Sequence, residues 1–116
     1  MVRSGLSRSK YGNVKTKVDG ITFDSRKEAA RYLHLKLLQK AGKISDLRCQ
    51  YPFKIIIDGM HVCTYKADFV YADVTTEKTH GMRVITVEDV KGVKTAIYRL
   101  KKKLVKAVYR LDIMEV

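Results

Sequence analysis

Apolar positions along the chain change period several times, and each change marks an element. From Asp24 to Ala41 the residues Ala30, Leu33, Leu37 and Ala41 recur three and four apart and Gly42 supplies a stop, which predicts a helix with that ridge against the core. Phe53 to Ile57 reads as a strand, Asp58-Gly59 as a two-residue hairpin turn, and Met60 to Val74 as the returning strand, interrupted before Tyr65. A polar loop leads to a third strand, Met82 to Lys91. Gly92 separates it from a second amphipathic helix, Lys94 to Val108, with Ile97, Leu100, Leu104 and Val108 as its ridge, and Leu111 to Val116 closes the chain as a short strand. Residues 1–20 are basic, rich in Gly and Ser and without period, so they are read as an arm that is flexible or orders on a partner, leaving 21–116 as a single domain. The order helix, three strands, helix, strand predicts an α/β fold around a mixed sheet.

Composition narrows the class. The chain has 116 residues, 46% of them hydrophobic, which suits one globular domain. No apolar run approaches the roughly 20 residues of a membrane span, and MVRSGLSRSKYGN lacks the apolar stretch of a signal peptide, so a soluble, intracellular protein without membrane contact is expected. Cys49 and Cys63 lack CxxC spacing, and His34, His61 and His80 form no ligand pair, which argues against zinc.

Charge is more informative. Twenty-four Lys and Arg against twelve Asp and Glu give +12, the footprint of a nucleic-acid binder, with a basic surface that serves only solubility or genome packing as the plainer alternative. Yet residues 50–91 hold six of the twelve carboxylates, and carboxylates repel phosphate. They are either solvated loop charges, as Asp58, Asp73 and Glu77 look, or part of a divalent-cation site within a DNA-binding surface.

Three segments carry candidate chemistry. Lys66-Ala67-Asp68-Phe69-Val70-Tyr71 sets one carboxylate among apolar and aromatic neighbours, where an unpaired charge is costly. In Glu88-Asp89-Val90-Lys91, period-two alternation puts Asp89 and Lys91 on one face and Glu88 on the other. If the two strands are neighbours, Asp68 and Asp89 approach closely enough to hold one hard cation with Lys91 beside it, an arrangement suited to phosphodiester cleavage. The structural alternative is a strand-end ion pair of Asp89 with Lys91 and an Asp68 that accepts backbone hydrogen bonds, because an acid-x-Lys tripeptide is common. Glu28 is the third segment's acid: Ser25-Arg26-Lys27-Glu28 reads as a capping box, while the helical face of Glu28, with Tyr32, Leu35 and Gln39, carries apolar bulk of its own.

On the second helix, Arg99, Lys102, Lys103, Lys106 and Arg110 share a broad basic face, either solvated or in contact with phosphates. Lys101 falls within the apolar arc and must snorkel out or point to the cleft. In the N-terminal arm, Lys10 and Lys15 are further candidate DNA contacts.

The strings SKYGN, VDGITFDSRKEAARY, YKADFVY, VEDVKG and YRLKKKL resemble the PD-(D/E)XK nuclease superfamily, and more closely a family of small phage-encoded proteins within it. The resemblance implies a restriction-endonuclease-like core and a Mg²⁺-dependent endonuclease, Mn²⁺ being a possible substitute and no small-molecule cofactor being needed. It matches Glu28 to the first-helix glutamate, Asp68 to the aspartate of the second core strand, and Asp89 with Lys91 to the acid-x-Lys pair. Glu28, Asp68 and Asp89 are then the expected metal ligands. Two features depart from the pattern: Ala67 stands where proline is common, and the extra acid Glu88 leaves open which of Glu88 and Asp89 is the ligand. Similar compact members resolve Holliday junctions as homodimers, so a homodimer acting on branched DNA inside a bacterial host is expected. The rival expectation is a non-catalytic DNA- or RNA-binding protein.

Overall fold

The computed structural model describes residues 14–74, 83–90 and 93–116. Its elements are β1 (Thr16–Val18), β2 (Ile21–Phe23), α1 (Arg26–Lys40), β3 (Ile44–Ile57), β4 (Met60–Asp73), β5 (Val84–Asp89), α2 (Ala96–Tyr109) and β6 (Ile113–Glu115). β1 and β2 form a small hairpin, and the other four strands make one mixed sheet in the order β3-β4-β5-β6. The β3–β4 and β4–β5 pairs are antiparallel, while β5 and β6 run parallel because α2 carries the chain back between them. The chain is thus α/β, with the mixed sheet and two helices that the apolar pattern implies.

The expected Asp58-Gly59 turn forms, with φ of 50° and 77°; both lie in the left-handed region that a two-residue hairpin turn matching strand twist requires. Asp19-Gly20, with φ of 52° and 78°, does the same for β1 and β2. The arm reading of residues 1–20 is therefore corrected: Thr16–Val18 belongs to a strand, held by its register with Ile21–Phe23. The stretch 1–13 lies outside the described residues. The interruption expected before Tyr65 takes the form of a register shift, since Ile55 pairs with Cys63 but Ile56 pairs with His61.

Each sheet face packs one helix. Tyr98 and Val105 of α2 bury against Phe53, Ile55, Tyr65, Ala67, Val70, Val87 and Ile113. Ala29, Tyr32 and Leu35 of α1 bury with Phe23, Ile44, Phe69 and Tyr71 on the other face. Both helices are rotated from the expected ridges. Leu33 and Leu37 are 49% and 67% exposed, and Ile97 and Leu100 are 63% and 55% exposed. Aromatic rings decide this: Tyr32 packs at a tilt 5.0 Å from Phe23 while its hydroxyl donates to Asp19 at 2.9 Å, and Tyr98 similarly buries its ring and finds an acceptor in Glu115.

One irregularity places the site. Tyr65 and Ala67 pack under α2, but Phe69 and Tyr71 pack under α1, although strict alternation would keep all four on one face. The change falls at Asp68. Across the β3–β4 ladder, between the pairs Cys49–Phe69 and Tyr51–Ala67, stands Gln50 with φ of 54°, a left-handed residue that breaks the pleat.

Candidate active site

The last pair of the β4–β5 ladder, Phe69 with Glu88, puts Asp68 across from Asp89. Asp89 is 2% exposed and its Oδ2 accepts from the Tyr65 hydroxyl. Asp68 Oδ2 accepts the Val90 backbone N–H at 2.7 Å, which ties the carboxyl to the end of β5. From α1, Glu28 brings a third carboxyl. The Ser25 hydroxyl caps the helix by accepting the Glu28 N–H at 3.1 Å, as the capping pattern predicts. The Glu28 side chain itself is buried, at 6% exposure, and lies near enough to Asp68 to raise its carboxyl.

Burial pushes Asp68 up to about 8, the Val90 N–H opposes this, and the hydrogen bond and charge of Glu28 and the charge of Asp89 add to the rise. Asp68 therefore holds its proton well above the usual carboxylate range. The same burial raises the Tyr65 phenol, which stays a donor to Asp89.

Glu88 faces the other way, as alternation predicts. Arg31 of α1 donates Nε to Glu88 Oε1 at 2.7 Å and Nη2 to Oε2 at 2.6 Å, and the Tyr71 hydroxyl donates to Oε2 as well. Glu88 is fully buried with both oxygens engaged, so the acid on the Asp68 side of β5 is Asp89. Lys91 lies outside the described residues.

The row of acids continues into β6, where Glu115 pairs in register with Asp89. It accepts from Tyr98 Oη at 2.8 Å, Lys94 Nζ at 2.9 Å and Lys102 Nζ at 3.0 Å, and these donors hold its carboxyl down at about 2. Of the expected DNA contacts, Lys102 is thus joined to Glu115, Lys106 to Asp112 at 2.9 Å and Lys15 to Asp24 at 3.4 Å. Arg99 is exposed and Lys101 half-buried, while Lys10 lies outside the described residues. Arg31, Tyr65, Tyr98 and Glu115 are the members that sequence reasoning missed. Tyr65 was legible in principle, three residues before Asp68 on the same strand, whereas the others need the helix packing and the strand register.

A family described as "Protein of unknown function (DUF1064)" matches residues 8–114. The chain belongs to that family. No curated protein and no solved structure matches it. Family membership assigns no activity, so the chemistry of this DUF1064 chain rests on its own side chains.

Those side chains fit a hard divalent cation in kind. Asp68 and Asp89 are oxygen donors facing each other from neighbouring strands, in a buried setting where a cation would offset like charge. Among the described residues no group of three or more His, Cys, Asp and Glu stands close enough to hold an ion. Mg²⁺ nevertheless needs only one or two protein carboxylates, the rest of its shell being water and substrate phosphate.

Proposed function

We propose that the chain is a Mg²⁺-dependent DNA endonuclease with a restriction-endonuclease-like core, hydrolysing phosphodiester bonds in branched or otherwise structured DNA. The observation that carries this reading is the facing of Asp68 and Asp89 across the β4–β5 ladder, with the buried carboxyl of Glu28 from α1 beside Asp68. Mg²⁺, when bound, supplies an acidified water and offsets charge on the scissile phosphate. The chain's own residues prepare for it. Asp68, once deprotonated, and Asp89 would hold the ion, and Tyr65 fixes the rotamer of Asp89 by donating to Oδ2. Arg31 and Tyr71 hold Glu88, and with it β5, against α1. Lys91, two residues beyond Asp89, is assigned by resemblance to orient or deprotonate the water.

Homodimer formation is part of the proposal. Ile97, Leu100 and Val108 form an exposed apolar stripe along α2 of the kind a second copy covers. The deciding experiment is incubation with linear duplex, single-stranded and four-way-junction DNA, in Mg²⁺ and in EDTA. Cleavage of the junction in Mg²⁺ alone is expected, and intact DNA in every condition refutes the reading. The second reading, a nucleic-acid-binding protein without catalysis, draws on the absence of a three-ligand cluster among the described residues, and it predicts binding with no response to Mg²⁺.

A further inference from the structure

Glu115 occupies an unusual position for an acid on so basic a chain. It ends the carboxylate row on β6, beside Asp89, yet each of its oxygens is held by a different lysine: Oε1 by Lys94 at 2.9 Å and Oε2 by Lys102 at 3.0 Å, with the Tyr98 hydroxyl also on Oε2 at 2.8 Å. Two oxygens bearing one negative charge between two ammonium groups reproduce what a backbone phosphate offers through its non-bridging oxygens. The setting is open. The side chains of Lys94, Lys102 and Glu115 keep 49%, 40% and 22% of their surface in solvent, so the contacts are exchangeable ion pairs rather than buried ones. They line a groove of about 600 Å³ that continues past Arg99, Lys103 and Lys106.

We infer that Lys94 and Lys102 form a phosphate-binding subsite beside the carboxylate row, and that Glu115 closes it in the free protein by standing in for a nucleic-acid backbone phosphate. In the free chain Glu115 keeps two lysines together that would otherwise repel. When a strand enters the groove, its phosphate takes the lysines and Glu115 turns to solvent. The subsite thus sets the position of a phosphate next to Asp89 and makes entry competitive with an internal anion. This deepens the nuclease reading and rests on it for its role in catalysis, though phosphate capture itself needs no cleavage.

The test is binding in EDTA across a salt series, read by fluorescence anisotropy with labelled four-way-junction DNA, duplex DNA and single-stranded RNA. Glu115→Gln removes the competing charge and leaves the backbone pairing of β6. It is expected to tighten binding about three- to tenfold and to steepen the salt slope by about one to two, since each phosphate contact contributes roughly 0.9 on B-DNA. Asp58→Asn, at the distant hairpin turn, controls for general loss of one negative charge and should change binding less than twofold. Lys94→Ala and Lys102→Ala should each cost more affinity in the Glu115→Gln background than in the parent. Glu115→Asp, which keeps the charge and shortens the reach, should fall between parent and Gln and serves if the Gln chain does not fold. Unchanged or weaker binding by both Glu115 variants, or equal lysine effects in the two backgrounds, overturns the inference. Cleavage in Mg²⁺ with unchanged Glu115→Gln binding removes only the subsite; tightened binding with no cleavage anywhere removes the nuclease reading and leaves the subsite standing.

Discussion

Arg31 and Glu88 are joined by two parallel N–H···O bonds, 2.7 and 2.6 Å, that fasten α1 to β5 on the face of the sheet away from Asp89. The carboxylate is fully buried and the guanidinium only partly exposed. Removing one partner of such a pair leaves an uncompensated charge in the core. Arg31→Ala is expected to destabilise the fold by about 3 kcal/mol in urea denaturation, with Arg31→Lys recovering only part because one ammonium cannot replace the bidentate fork. A loss below about 0.5 kcal/mol, the level of an ordinary surface change, would show the pair to be incidental.

Asp68 gives the stability a distinct pH dependence. Its folded pKa, about 8, lies above the ordinary carboxyl value of 3.8, so between those limits the folded state binds more protons than the unfolded. The contribution of Asp68 is favourable below about pH 4 and is lost as pH rises towards 8. Asp68→Asn should flatten this decline and melt higher than the parent at pH 8, with little difference at pH 4. The gain is on the order of 1 kcal/mol, less than the full shift implies because the carboxyl is part-exposed. Thermal scans across pH check it, and a parent that gains stability relative to Asp68→Asn from pH 4 to 8 contradicts it.

Ligand loss separates the roles of the acids. Asp68→Ala, Asp89→Ala and Lys91→Ala should each abolish Mg²⁺-dependent cleavage while leaving most DNA affinity. Mg²⁺ at a hundred times its dissociation constant stabilises a folded binder by about 2.7 kcal/mol. A melting shift of that order is expected for the parent and for Lys91→Ala, and none for Asp68→Ala or Asp89→Ala. Parent-like cutting by any of the three defeats the assignment.

Tyr65→Phe keeps the ring in the core and deletes one donor to Asp89. Partners that orient a ligand typically matter tenfold or more in metal affinity. The Mg²⁺ concentration for half-maximal cleavage should rise about tenfold, with DNA binding in EDTA unchanged. An unaltered Mg²⁺ titration would reduce Tyr65 to a packing residue.

Leu100 is 55% exposed in the middle of the α2 stripe. Leu100→Glu should convert a dimer to a monomer in sedimentation analysis without lowering the melting temperature by more than a few degrees. A parent already monomeric at high concentration removes the dimer from the proposal.

Local chemistry made the β3–β4 hairpin and both helices legible: Asp58-Gly59 demands its turn, and Ser25 and Gly42 bracket α1. The β4–β5 neighbourhood followed from the short meander, and with it the approach of Asp68 to Asp89. Which helix face turns inward was not legible, because leucines at helical spacing outnumber the aromatics that win the core through ring area and a satisfied hydroxyl, as Tyr32 and Tyr98 do. The β1–β2 hairpin was readable from Asp19-Gly20 between Val18 and Ile21, but the basic, polar stretch around it hid the pattern. Glu115 entered the site through strand register and Arg31 through the packing of α1 on β5, neither of which any periodicity encodes.

Gln50 has a wider consequence. By reversing the pleat opposite Asp68, it turns that point of the sheet from a partition into a window: Glu28 acts on the aspartate from the layer of α1, while Asp68, once ionised, acts on Tyr98 in the layer of α2. A disturbance on either side of the molecule therefore arrives at the same carboxyl, and the two outer layers are electrostatically coupled through a single kinked rung.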